Sequence, residues 1–250
     1  MKTKLFLSEV SFCGIKLSKA GIQIDDDKLK AIKQLPAPTN LKQLMKFLGC
    51  INYHRDWIPR FAEKAAPLYN LLRKNVKFQW DKLCQDSFEE LKTAMTTAPI
   101  LGFPDLNDKN ESFELIIDSS KLAHAAVLTQ CPDGKHRRII SYFSKSIPIH
   151  MQKYGGSRLE TLGLLAALKH YKMYLLGSYF VVKTDCKALL NLQTIFSREG
   201  AYMQRRMSML SGFHFKIEHI SSQSEEIKIS DYLSRYGPFH NKNQKCSHSD

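Results

Sequence analysis

Two apolar runs that each stop on an acid constrain this chain most. FELIID, residues 113–118, and YFVVKTD, residues 179–185, carry aliphatic and aromatic residues up to Asp118 and Asp185. Such runs read as buried strands, and the second suits a central strand covered on both faces. A carboxylate does not enter a core cheaply, so both acids belong at strand ends. If the two strands are parallel neighbours, Asp118 and Asp185 emerge on one sheet edge, where open α/β sheets place their ligand sites. The plainer reading of either acid alone is a turn, or a cap for the next helix.

The pattern around these runs changes near Pro99. Before it, residues 5–24 predict short strands with a turn near residues 18–21. DDDKLKAIKQLPAP predicts a short helix, with acids in its first turn and a stop at Pro36 and Pro38. Thr39 or Asn40 is placed to cap a helix with Leu41, Leu44, Phe47, Leu48 and Ile51 at helical spacing. Further helices are predicted after Pro59, with Phe61, Ala65, Leu68 and Leu72, and over 81–97, with Leu83, Phe88, Leu91 and Met95. After GFPDLNDKNES, strands are predicted at 113–118, 124–130 and 137–144. A helix at 157–174, a strand at 179–184, helices at 186–194 and 200–211, a strand at 213–220 and a short helix at 230–236 follow. Hairpin-like strands followed by alternating helices and strands imply a mixed α/β sheet.

Two more acids stand out. Glu160 in SRLETLGLLAALKHY shares a helical face with Gly163, Leu164, Ala167 and Tyr171. That face should look at the protein, so its carboxylate needs an arginine, a hydrogen-bond network or a metal. Asp231 in KISDYLSRYGP sits in a predicted first helical turn. Both positions also suit an acid that merely favours the helix dipole. Taken together, Asp118, Glu160, Asp185 and Asp231 form an oxygen-only set, which suits two Mg²⁺ or Mn²⁺ ions if they converge. His219 closes the strand FHFKIEH; beside such a site it would move protons, and otherwise it is a surface residue.

The chain has 250 residues, with 37 Lys and Arg against 24 Asp and Glu, a net charge of +13. That balance favours a polyanionic partner such as nucleic acid. The cysteines lie far apart without CxxC spacing, which argues against zinc and for reduced thiols in an intracellular setting. No apolar run approaches the length of a membrane span, and MKTKLFLSEV is too short in its apolar part for a signal peptide.

At these residues the chain resembles the Pol polyprotein of gypsy-type LTR retrotransposons, in the end of reverse transcriptase and the ribonuclease H domain after it. The resemblance runs from about residue 6 to 237. LKQLMKFLGCINYHRDWIPRFAEKAAPLYNLL and FQWDKLCQDSFEELKTAMTTAPILGFPD resemble the blocks after the polymerase palm. LIIDSS, AAVLTQ, SRLETLGLLAAL, FVVKTDCKALLNL and ISDYLSR resemble the ribonuclease H motifs. The family's metal-binding acids fall on Asp118, Glu160, Asp185 and Asp231. The resemblance implies two Mg²⁺ (or Mn²⁺) ions, an RNA–DNA hybrid as partner, cleavage of its RNA strand, and a five-stranded sheet with the Asp118 and Asp185 strands adjacent. His219 matches a position of His or an aromatic, although SSQSEE replaces the usual Pro-Gly turn after it. Cys186 replaces the usual His after the second strand acid, and no YxDD polymerase motif is present.

The reading is an α/β protein: a ribonuclease H-like five-stranded mixed sheet with flanking helices, preceded by a mainly helical thumb/connection module. Residues 1–105 would be the reverse transcriptase remnant, 106–238 the ribonuclease H-like domain and 239–250 a polar tail. A polymerase segment missing from the chain would be a further partner. Arg205 and Arg206 are candidates for phosphate contact or for a solvated helix face. The rival reading is a retroelement-derived fragment that binds nucleic acid or a protein partner and no longer cuts.

Overall fold

A computed structural model of the chain describes residues 7–106, 113–131, 137–192, 209–221 and 224. It begins with an antiparallel three-stranded sheet, β1 (Glu9–Phe12), β2 (Ile15–Ser18) and β3 (Gly21–Ile24). The predicted turn lies between Ser18 and Gly21, which pair across it.

Helices follow. α1 (Asp26–Gln34) is capped by the Asp25 side chain. α2 (Leu41–Tyr53) is capped by Asn40, whose Oδ1 accepts from the Gln43 amide at 3.0 Å, so Asn40 and not Thr39 caps this helix. Its apolar stripe of Leu44, Phe47, Leu48 and Ile51 is buried, while Leu41 at the first turn is exposed. The helix expected after Pro59 is two pieces, α3 (Phe61–Lys64) and α4 (Ala66–Asn70). Pro67 has no amide hydrogen to donate one turn back, so the ladder breaks at Ala65. α5 (Lys82–Thr96) buries Phe88, Leu91 and Met95 but leaves Leu83 exposed. Leu83 follows immediately on the first-turn lysine, off the stripe that those three define.

The second sheet has β4 (Phe113–Ser119), β5 (Ala123–Gln130), β6 (Arg138–Ser146), β7 (Tyr179–Thr184) and β8 (His214–His219). Its order is β6-β5-β4-β7-β8. The β6/β5 and β5/β4 pairs are antiparallel, and the β4/β7 and β7/β8 pairs are parallel. This is the expected mixed α/β sheet. Its first parallel neighbour comes after α6 (Gly156–His170), which packs on β4 and β5. The predicted long helix leaves helical geometry at Tyr171, and α7 (Lys172–Leu175) finishes the turn. Tyr171 is fully buried, and its hydroxyl donates to the Ser141 carbonyl at 2.8 Å. Residues 187–191 form a 3-10 turn in place of part of the helix expected at 186–194. Most of the helix expected at 200–211, all of that at 230–236, and Arg205, Arg206 and Asp231 lie outside the described residues.

One face of the sheet carries Leu115, Ile117 and Ala126 against α6. The other face presents Val127 and Tyr142 to the core of the helical module. Ser144 on β6 fastens the module. Its carbonyl accepts from Arg55 Nη2, and its hydroxyl accepts from the Ala62 amide at 3.0 Å. Cys13, Cys50, Cys84 and Cys186 are free thiols. Among the described residues no helix is long and apolar enough to cross a membrane.

Candidate metal centre

The β4/β7 register puts Ile116 opposite Lys183. Two residues further along each chain stand Asp118 and Asp185, so parallel pairing carries both acids to one sheet edge. Glu160 comes from the second turn of α6, beneath the same edge. Carboxylate oxygens of Asp118, Glu160 and Asp185 lie within 4.8 Å of one another. The close approach of α6 depends on Gly163, one turn after Glu160. A Cβ there would fall 2.3 Å from Ser119 Oγ and 3.1 Å from His124 Nδ1. Ser119 and His124 hydrogen-bond to each other at 3.0 Å just below the helix.

Burial and neighbouring charge act on Glu160 and Asp118. Glu160 is buried; burial and the nearby charges of Asp118 and Asp185 push its carboxyl up to about 8, against a smaller pull from its bond with Ser119. Burial also raises Asp118, with Asp185 and Glu63 adding to it, while the Arg60 guanidinium opposes the rise. Oε1 of Glu160 accepts from the Ser119 amide at 3.1 Å. Its Oε2 is buried and has no hydrogen-bond donor among the described residues.

A buried carboxyl oxygen without a donor among the described residues, beside two more acids, is what a cation would satisfy. The donors are all oxygen, the preference of Mg²⁺ and Mn²⁺. These residues therefore fit a divalent ion. Three of the four acids expected from the sequence are brought together, and the fourth, Asp231, is outside the described residues. His219 is the last residue of β8, exposed and paired with Thr184, which precedes Asp185. It stands at the same sheet edge, one strand away from the cluster.

Three residues of the site were not anticipated from sequence. Arg60 Nη1 donates to Asp118 Oδ2 at 2.9 Å. Glu63 grips the same guanidinium, accepting from Nε at 2.6 Å and from Nη2 at 3.3 Å. Ser120 donates from its hydroxyl to Glu63 Oε1. The need of buried acids for a counter-cation was readable, but not which of 37 basic residues supplies it.

The strand order, the α6 crossover and the acid cluster define a ribonuclease H-like domain. Residues 80–182 match the family described as the RNase H-like domain found in reverse transcriptase. The Pol polyprotein from transposon 297 of Drosophila melanogaster is 34% identical over 94% of the chain, and that from transposon 412 is 30% identical over 94%. The Tf2-3 polyprotein of Schizosaccharomyces pombe is also 30% identical over 94%. The chain covers 21%, 18% and 17% of these three relatives. Over nearly its whole length the chain is similar to the Pol polyproteins of gypsy-type LTR retrotransposons. Two solved structures of foamy viral protease-reverse transcriptase share its fold. One, in complex with double-stranded DNA, has a TM-score of 0.72 at 20% identity, over 86% of this chain and 38% of that one. The other, in complex with RNA/DNA hybrid, has a TM-score of 0.71 at 20% identity, over 88% and 30%.

Proposed function

We propose that this chain is a metal-dependent ribonuclease H that cleaves the RNA strand of RNA–DNA hybrids as part of a reverse transcriptase. The observation that carries this reading is the convergence of Asp118, Glu160 and Asp185 within 4.8 Å. The buried oxygen of Glu160, without a donor among the described residues, strengthens it. The likeness to Pol polyproteins supports the substrate class, and the net charge of +13 agrees with a polyanionic partner. The chain divides near residue 105, with the helical module before the nuclease domain.

Two divalent ions, when bound, activate a water and stabilise the leaving oxygen. Asp118 would hold both ions, Glu160 and Asp185 one or the other, and Asp231 would complete the second position. Hydrolysis breaks the bond from phosphorus to the 3′ oxygen, leaving a 3′-hydroxyl and a 5′-phosphate. His219, at the rim, would carry the proton or help product leave. Selection of a hybrid rests on duplex shape and the RNA 2′-hydroxyls.

The test is a panel of duplexes labelled on each strand, with Mg²⁺ and with Mn²⁺. Cutting confined to RNA in the hybrid is expected. A folded protein that binds hybrid and cuts nothing would favour the silent retroelement fragment instead.

A further inference from the structure

We propose that Arg60 is a resident counter-cation of the acid cluster, a latch by which the helical module holds Asp118 and which a divalent ion must displace. The proposal rests on the metal-site reading above.

The contact is directed at a proposed ligand atom. Asp118 Oδ2 accepts from Arg60 Nη1 at 2.9 Å, and both side chains are about three-quarters buried (23% and 24% exposed). A divalent ion on that oxygen would face the guanidinium at close range, and like charges at such range repel strongly where water is scarce. Arg60 and a metal ion therefore compete for Asp118.

The arginine is also built into place. Glu63 holds its Nε at 2.6 Å, and the same carboxylate is tied to Ser120, two residues after Asp118. The module that bears Arg60 is fixed to β6 through Ser144. Arg60 itself has φ 53° and ψ 33°, the left-handed region that a side chain with a Cβ adopts at a cost. Such strain persists where surrounding structure over-determines it, and it concentrates at functional sites. An ion pair serving only to dock the module would not require an acid that lies within 4.8 Å of Glu160 and Asp185. Because Arg60 precedes α3 directly, its release would loosen the first turn of that helix, whose Glu63 and Lys64 amides donate to the Arg60 carbonyl.

The test uses the full chain without nucleic acid. Free Mn²⁺ is followed by electron paramagnetic resonance during titration of wild type, Arg60→Ala, Arg60→Lys and Asp185→Asn. Arg60→Ala should tighten Mn²⁺ binding roughly 2- to 5-fold, the scale of a part-exposed ion pair. Arg60→Lys, which keeps the charge and loses the forked grip, should gain less. In wild type, adding Mn²⁺ should speed hydrogen exchange of the amides at 61–65. If folded Arg60→Ala binds Mn²⁺ no more tightly than wild type, while Asp185→Asn loses binding, the latch is wrong and the metal site stands. If neither wild type nor Arg60→Ala binds Mn²⁺, both the latch and the metal reading fail.

Discussion

The amide of Ser119 reaches Oε1 of Glu160 at 3.1 Å and leaves Oε2 of the same carboxylate buried without a donor among the described residues. Strand β4 thus satisfies half of a helix-borne acid that lies beside Asp118 and Asp185. A site built this way is costly when empty and ionised. Its cost should show in the protein's response to pH.

Metal-free protein should lose stability as pH rises from about 6.5 to about 8. Glu160 has a folded pKa of about 8 against 4.5 for the free group, so between those values the folded state binds more protons and stability falls with pH. His124 acts oppositely. Burial lowers it from 6.5 to about 4, so the unfolded state binds more protons and stability rises with pH over that range. The two slopes offset each other between 4.5 and 6.5, and above 6.5 the Glu160 slope is no longer offset by His124. Urea midpoints from pH 4 to 9 check this. Glu160→Gln should flatten the limb above pH 6.5; an unchanged limb would contradict the assignment.

Gly163→Ala should impair the site more than the fold. The new methyl meets Ser119 Oγ at 2.3 Å, and that hydroxyl can rotate away only by giving up its bond to His124. The lost bond costs about 1 kcal/mol. Alanine in a helix interior returns about as much over glycine. Net stability should change by less than about 1 kcal/mol, with the residual crowding pushing Glu160 outward. Hybrid cleavage should fall at least tenfold, and Ser119→Ala in the same chain should restore part of it. Equal cleavage by Gly163→Ala and wild type would show that the close approach is incidental.

Glu114→Ala should be among the most destabilising changes in the sheet. The Glu114 carboxylate meets Arg137 Nη2 at 2.8 Å and Lys183 Nζ at 2.8 Å, with all three side chains at least nine-tenths buried. Removing one member of a buried charge cluster costs about 3–5 kcal/mol. Denaturant midpoints measure it; a cost near that of an exposed pair, below about 1 kcal/mol, would contradict this burial.

The strand acids were legible because their strands are. An apolar run closing on aspartate reads the same in sequence and in the sheet, and parallel pairing of β4 with β7 does the rest. Glu160 was legible for a similar reason: Gly163, Leu164, Ala167 and Tyr171 share its face and are all buried. What periodicity missed were local breaks. The helix after Pro59 splits because Pro67 lacks an amide, and Leu83 has an apolar side chain but no core to face. Arg60 was invisible for a deeper reason. It meets Asp118 across 58 residues of chain, through packing of the helical module on β6 that no local pattern encodes.

The most direct measurement is cleavage of a labelled RNA–DNA hybrid in Mg²⁺ by wild type beside Asp185→Asn. The variant keeps the size of the side chain and removes the charge that the metal would hold. Cutting by wild type, abolished by chelation and by the substitution while hybrid binding persists, is the predicted result. Cutting that survives Asp185→Asn, or folded wild type that binds the hybrid and never cuts it, would contradict the acid cluster as the catalytic centre.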